Sequence, residues 1–401
     1  MKKGILTSLA VVALLSAITV KYTDDREIYA KAQEKHVSYS QTAKTGIEVR
    51  AKSAFSCDYS TGTVIYAKNE LARLPIASMC KIMTLILCFD GVEEGKLAFD
   101  EEISVSERAA SMGGSQVFLE GNAKYPVKEL IKSIVVCSAN DSCVAMAEHI
   151  AGNEELFVQK MNEKAKQLGA DNTLFANCTG LPKEPQYSCA KDVAIMLKEL
   201  LKHKEYYEFG SVWMDKFMHP QGRFTEITNT NKLIRFYDGC DGGKTGFTNQ
   251  AGFCLAATAK RKDMRIISVV IGAENSKNRF DDTKMLFDYA FANYHATPIV
   301  KENVPLEDEI SVMGGRQKTL AVMPQRSVFD FTKKGEKGNV HLEVQIKQLH
   351  APIAEKQAVG ELIVYKDNVE IDKVPLLAAN AVEKNRWFDS FKDAAGGWNH
   401  K

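Results

Sequence analysis

Three short groups of residues, far apart in the chain, carry side chains suited to chemistry: Ser78-Met79-Cys80-Lys81, Ser138-Ala139-Asn140 and Lys244-Thr245-Gly246. A serine hydroxyl is a weak nucleophile until a base takes its proton. Pro75 stands three residues before Ser78, and proline favours a helix start, so Ser78 is expected in the first turn of a helix. Free backbone N–H groups there can hold a developing oxyanion. The i, i+3 spacing puts Lys81 on the same face, one turn along. From Met79 to Phe89 the run is apolar apart from Lys81 and Thr84, so the lysine is desolvated, which favours the neutral amine that a base must be. An S-x-x-K spacing by itself arises by chance. A lysine inside an apolar run is costly without a purpose or a partner.

Ser138 and Asn140 place a hydroxyl and a carboxamide two residues apart, able to relay a proton and to hold a substrate amide. Alone they would be a loop or a helix N-cap. Lys244 and Thr245 offer a cation and a hydroxyl to a substrate carboxylate, while Gly246 permits close backbone approach.

The elements that must position these groups can be read from periodicity. Ala54 to Tyr59 and Gly62 to Lys68 form a hairpin around Ser60-Thr61-Gly62. Met79 to Phe89 is a helix buried all round. Tyr125 to Ala151, Glu154 to Leu168 and Ala190 to His203 repeat apolar residues at helical spacing. Phe253 to Lys260 and Met264 to Gly272 are strands joined at Arg261-Lys262-Asp263, and helical pattern returns from Asp281 to Tyr294. Beyond Pro298 the chain is strand-like: Val340, Leu342, Val344 and Ile346 alternate with polar residues. A domain boundary is placed near residue 300.

In this order, S-x-x-K, an S-x-N element and K-T-G form the signature of penicillin-binding proteins and class A β-lactamases. The chain resembles a low-molecular-mass penicillin-binding protein of the D-alanyl-D-alanine carboxypeptidase type. Ser115-Gln116-Val117-Phe118-Leu119, Ser138-Ala139-Asn140-Asp141, Met161-Asn162, Lys244-Thr245-Gly246-Phe247-Thr248 and Gly272-Ala273-Glu274-Asn275-Ser276 carry the resemblance, which spans roughly residues 45 to 380. It implies a mixed α/β transpeptidase/β-lactamase-like catalytic domain with an antiparallel sheet and a helical cluster, followed by a small all-β sandwich. It implies Ser78 as nucleophile and Lys81 as acylation base, with the N–H groups of Ser78 and Phe247 as oxyanion hole. Ser138, Asn140 and Lys244 complete the catalytic set, with Ser138 and Lys244 passing the proton to the leaving group. Thr245, Gly246, Phe247 and Arg279 would bind substrate, Arg279 through the terminal carboxylate. The implied reaction removes the last D-alanine from peptidoglycan stem peptides ending in D-Ala-D-Ala, with β-lactam antibiotics as covalent inhibitors. Thr179-Gly180-Leu181-Pro182 stands where many relatives have His-Gly-Leu-Asp, and Phe247 where some have His, so substrate preference does not carry over.

Two rivals share the motifs: a serine β-lactamase and a non-catalytic penicillin sensor. No Glu suited to lactamase deacylation is identified by motif, and no motif residue is missing. A Ser-His-Asp hydrolase would need a G-x-S-x-G elbow, which is absent. The eight His residues form no ligand cluster in sequence, so no metal and no cofactor is expected. A formal net charge of +1 on 401 residues gives no field for nucleic acid.

Lys2 and Lys3 precede an apolar run from Gly4 to Val20, as in a secretory signal. The expected organisation is a signal peptide or N-terminal anchor at 1–20 and a linker at 21–44. The serine peptidase domain follows at 45–299, then the β-sandwich at 300–380. At 381–401, Trp387, Phe388, Phe391 and Trp398 form a helical stripe, which reads equally as a membrane-surface helix or as a helix docked on the β domain. The expected location is the extracytoplasmic face of the membrane or the wall. The nine cysteines are odd in number, scattered and set among apolar neighbours, and are expected to be free, buried and structural.

Overall fold

The computed structural model describes residues 18–22, 46–336 and 338–385. These divide into two units, one ending at His295 and one running from Ala296 onward that also includes Ile18–Tyr22. Of the expected C-terminal helix at 381–401, residues 381–385 are described and are extended, with Val382 bridged to Ile353 and Lys384 to Gly315, so the β unit reaches past residue 380. Residues 386–401 and most of the expected signal segment lie outside the described residues.

The first unit is built on a five-stranded antiparallel sheet in the order Val64–Lys68, Ser53–Asp58, Met264–Ala273, Gly252–Arg261, Cys240–Thr248. Met264–Ala273 is buried at every position, because strand alternation sends its apolar side chains into two different cores. Ile267, Val269 and Ile271 join a large core shared with the helices, while Val270 packs with Leu286 of the long helix Ser276–Asn293. A central strand covered on both faces reads as a largely apolar run, and its two polar residues are both paired: Arg265 with Asp241 and Ser268 Oγ with Ser56 Oγ. The strand that holds Lys244-Thr245-Gly246, hereafter the motif strand, is the outermost of the sheet.

The helical part centres on Lys81–Glu93, the Lys81 helix, which is preceded by a 3-10 turn over Ala77–Cys80. Its neighbours include Val127–Val136, Asn140–Ala151, Glu154–Gln167 and Ala190–Leu200. Helical periodicity runs from Tyr125 to Ala151 in the sequence, with Ser138 and Asn140 within it readable alone as a loop or helix start. The structure breaks it at Cys137-Ser138-Ala139, where Ser138 adopts φ +66°. A left-handed residue cannot continue a right-handed ladder, so a second helix starts at Asn140.

The second unit is all β. A seven-stranded sheet runs Ile18–Tyr22, Val340–Ile346, Ala358–Lys366, Val369–Ala378, Thr319–Pro324, Glu309–Met313, Leu349–His350, beside a two-stranded sheet of Tyr294–Val300 and Val328–Lys333. Val300 and Val328 of the small sheet share one core with Leu342, Val344, Leu362 and Leu376 of the large one, which is how two sheets bury their inner faces. Ile18–Tyr22 lies parallel to Val340–Ile346. The sequence reading gave these residues to the end of the apolar segment and the start of the linker; Ile18, Thr19 and Val20 are β-branched and suit a strand.

Candidate active site

Ser78 sits in the 3-10 turn that leads into the Lys81 helix, one turn earlier than the first α-helical residue. The turn is tight because Ala77 has φ +47°, a conformation that strains an L-residue and persists only where its surroundings enforce it. Lys81, the first residue of the α-helix, is completely buried. Its Nζ has three oxygen neighbours: Ser78 Oγ at 3.1 Å, Asn140 Oδ1 at 2.7 Å and the Thr179 carbonyl at 2.6 Å.

Asn140 is held from three sides. Its backbone N–H donates to the Ser115 carbonyl at 2.7 Å and its Nδ2 donates to the Gly113 carbonyl at 2.7 Å. A carbonyl can only accept, so the amide nitrogen faces Gly113 and Oδ1 faces Lys81. The neighbouring Asp141 carboxylate accepts from the N–H groups of Val117, Leu119 and Ser142, which pins the loop over Asn140. Burial pushes the Asp141 carboxyl above its ordinary range, and these N–H donors pull it back. Ser138 has a buried Oγ with no hydrogen-bond partner.

Lys244, on the motif strand, is buried, and its Nζ donates to the Thr245 carbonyl at 3.2 Å. Burial first, and then the charge of Lys81, push its ammonium down to about 7. Gly246 brings the strand against the Ser78 turn: a methyl there would lie 2.6 Å from the Ile76 carbonyl oxygen and 3.1 Å from Ser78 N. Only glycine allows that approach, which sets the outer edge of the sheet beside the Ser78 amide. An extended peptide can pair with such an edge. Thr245 is buried, whereas Phe247 is half exposed and packs on Phe253 with ring centroids 4.3 Å apart.

Arg279 lies in the first turn of Ser276–Asn293 and is buried, not on the surface. It packs over the rings of Phe253 and Phe280, and its Nη1 donates to the carbonyls of Gly246 and Cys254 at 3.2 and 3.3 Å. Its Nε is buried without a hydrogen-bond partner. Burial lowers the guanidinium to about 10.

The sequence motifs did not reveal the contribution of the loop 177–181. Its Thr179 carbonyl is the nearest of the three oxygens to Lys81 Nζ, and a backbone atom leaves no trace in a side-chain pattern. The nine cysteines are unpaired, eight buried and Cys137 partly so. No His cluster was legible in the sequence, but the structure does assemble one with carboxylates. His203 Nδ1 lies 2.9 Å from Glu93 and Nε2 3.4 Å from Asp90, and Lys164 stands 2.9 Å from the other Asp90 oxygen. Asp90 is nine residues along the helix from Lys81, about 13 Å, and with an ammonium already on Asp90 this is an ion-pair cluster outside the Ser78 site.

Residues 36–275 match the family model described as D-alanyl-D-alanine carboxypeptidase, and residues 294–384 match that of the penicillin-binding protein 5 C-terminal domain. The chain is 42% identical to D-alanyl-D-alanine carboxypeptidase DacF of Bacillus subtilis (strain 168) over 87% of this chain and 90% of that protein. It is similar to the crystal structure of penicillin-binding protein 5 from Haemophilus influenzae, with 30% identity, TM-score 0.66, and coverage of 84% of this chain and 99% of that one. It also resembles penicillin-binding protein D2 from Listeria monocytogenes, solved in its ampicillin-bound form, with 29% identity, TM-score 0.55, and coverage of 61% and 99%.

Proposed function

The chain belongs to the D-alanyl-D-alanine carboxypeptidase family, and from that premise we propose that Ser78 is the nucleophile that removes the terminal D-alanine from peptidoglycan stem peptides. The protein is a serine-type carboxypeptidase, a hydrolase with a mixed α/β catalytic domain and an all-β C-terminal domain. The observation that carries the residue assignment is Lys81, fully buried and 3.1 Å from Ser78 Oγ.

In this reading the peptide lies along the motif strand, with its scissile carbonyl beside the N–H groups of Ser78 and Phe247. As Ser78 Oγ bonds to the carbonyl carbon, its proton passes to the Lys81 amine, and the two N–H groups stabilise the oxyanion. Collapse of the tetrahedral intermediate breaks the C–N bond, with the proton delivered to the departing amine through Ser138 and Lys244. Water then hydrolyses the acyl-enzyme. Asn140 holds the substrate amide, and Thr245 and Arg279 take the free carboxylate, which distinguishes a chain end from an internal bond. Penicillins acylate the same serine. The half-exposed Phe247 ring and the Thr179 loop border the cleft and set peptide preference.

The enzyme acts outside the cytoplasmic membrane, exported by its N-terminal segment. Among the described residues no helix is long and apolar enough to cross a membrane. The test of the reaction is D-alanine release from a pentapeptide ending in D-Ala-D-Ala. Release by the parent and none by Ser78→Ala, with the fold intact by circular dichroism, supports the assignment; equal release by both refutes it.

A further inference from the structure

Lys81 can act on Ser78 only if its lone pair points at the hydroxyl proton. A neutral amine has two N–H bonds and one lone pair, so its direction is set by where the two N–H bonds go. Two oxygens stand closest to Nζ, Asn140 Oδ1 at 2.7 Å and the Thr179 carbonyl at 2.6 Å, with Ser78 Oγ farther at 3.1 Å. Asn140 Oδ1 and a peptide carbonyl can only accept. When each takes one N–H, the remaining position on nitrogen, the lone pair, faces Ser78. One of the two oxygens belongs to a motif side chain. The other is a backbone atom in a loop, and its place depends on whatever holds that loop.

That group is Asn177. It is buried, and its Oδ1 accepts from Thr179 N at 3.2 Å, Thr179 Oγ1 at 3.3 Å and Gly180 N at 2.7 Å, while its Nδ2 donates to the Leu181 carbonyl at 2.8 Å. One carboxamide therefore ties together the residues on both sides of the Thr179 carbonyl. The base of the loop is tied to the nucleophile segment as well. Cys80 Sγ donates to the Asn177 carbonyl at 3.2 Å, and Thr84 Oγ1 donates to the Cys178 carbonyl at 2.7 Å. From the other side Glu154, itself paired with Arg108, accepts from Cys178 N at 3.1 Å.

We propose that Asn177 is a positioning residue for catalysis: by fixing the Thr179 carbonyl as the second acceptor on Lys81 Nζ, it aims the lysine lone pair at Ser78 Oγ. Asn177 touches neither substrate nor the reacting atoms. Its effect falls on the proton-transfer geometry and not on binding, so it should appear in the acylation rate constant k2 and leave the dissociation constant of the preceding noncovalent complex alone. This rests on the assignment of Lys81 as base to Ser78, given above.

The experiment is rapid-mixing acylation by a chromogenic cephalosporin or a fluorescent penicillin at rising concentrations, which separates k2 from the dissociation constant. Asn177→Leu keeps the size and removes every hydrogen bond. Its k2 should fall roughly 10- to 100-fold, the scale of a small misplacement in a reacting pair, with the dissociation constant within threefold of the parent. Asn177→Asp keeps the acceptor that holds Thr179 N and Gly180 N and should recover at least tenfold of that loss wherever the loss exceeds tenfold. If Asn177→Leu does not fold, Asn177→Ser, too short to span Thr179 N and Gly180 N, gives the same readout. A k2 within twofold of the parent in the Leu or Ser variant, with label abolished by Ser78→Ala, overturns this inference alone. Loss of k2 and affinity together in both the Leu and Asp variants also overturns it, by showing a structural role. Labelling that survives Ser78→Ala overturns the assignment of the site, and this inference with it.

Discussion

Gly180 lies so close to Ala77 that a methyl group on its Cα would stand 2.1 Å from the Ala77 carbonyl oxygen. The contact joins the loop that offers the Thr179 carbonyl to the strained residue just before Ser78. Gly180 also has φ +81°, which an L side chain adopts only with strain. Gly180→Ala is therefore expected to cost about 1–3 kcal/mol of stability and to slow penicillin acylation at the same time, because the loop and the Ser78 turn cannot both keep their places. Denaturant unfolding and acylation kinetics on one preparation check this; a variant with parental stability and rate would show that the two segments are not coupled.

Lys244 links pH to stability with a definite sign. Burial takes its ammonium from the ordinary 10.5 down to about 7. Between about pH 7 and 10.5 the unfolded chain holds a proton on this lysine that the folded chain does not, so stability rises with pH across that window. Below pH 7 both states are protonated and the burial penalty is full and constant. Lys244→Met removes the penalty. The difference in melting temperature, variant minus parent, should be most positive at pH 6–7 and fall steadily toward pH 10. A difference that is flat between pH 7 and 10 would contradict the assigned shift.

Arg279 is placed to hold the Gly246 carbonyl and, in the proposed reaction, to bind the terminal carboxylate. Arg279→Ala should lose ~1.5–3 kcal/mol of transition-state binding on D-alanyl-D-alanine peptides, the range for charged hydrogen bonds. The loss should shrink when the terminal carboxylate is amidated. Equal losses in kcat/KM on free and amidated peptides would mean that the arginine only holds the motif strand.

The cysteines give a chemical test of the core. Burial pushes the thiols of Cys57, Cys143, Cys189 and Cys240 up to about 12, and that of the partly exposed Cys137 to about 12 as well. Only the thiolate reacts with alkylating agents. Native protein in iodoacetamide at pH 8 should stay unmodified by mass spectrometry, and denatured protein should take up nine groups without prior reduction. Rapid alkylation of the native protein, or fewer than nine groups after unfolding, would contradict the buried, unpaired state.

How far the sequence could be read differs from residue to residue. The i, i+3 relation of Ser78 and Lys81 and the apolar run around them led directly to the buried contact, because helix geometry links spacing to proximity. The strands Gly252–Arg261 and Met264–Ala273 were legible for the same kind of reason: their apolar runs are bounded by a charged turn. The helix break at Ser138 was legible only as the loop or N-cap that Ser138 and Asn140 would make alone, since apolar periodicity continues on both sides and a backbone dihedral records the interruption. The Thr179 carbonyl was invisible because main-chain oxygens carry no residue identity. Arg279 followed from resemblance, yet its burial over Phe253 and Phe280 depends on packing between distant segments, which no local pattern encodes.

The most direct test of the whole account is reaction of the intact protein with a labelled penicillin, followed by peptide mapping and by timing the release of the label. A single adduct on Ser78 is expected, formed in the parent, absent in Ser78→Ala, and persisting for minutes or longer. Label on another residue would contradict the assignment of the nucleophile, and release within seconds would make the protein a β-lactamase instead of a carboxypeptidase.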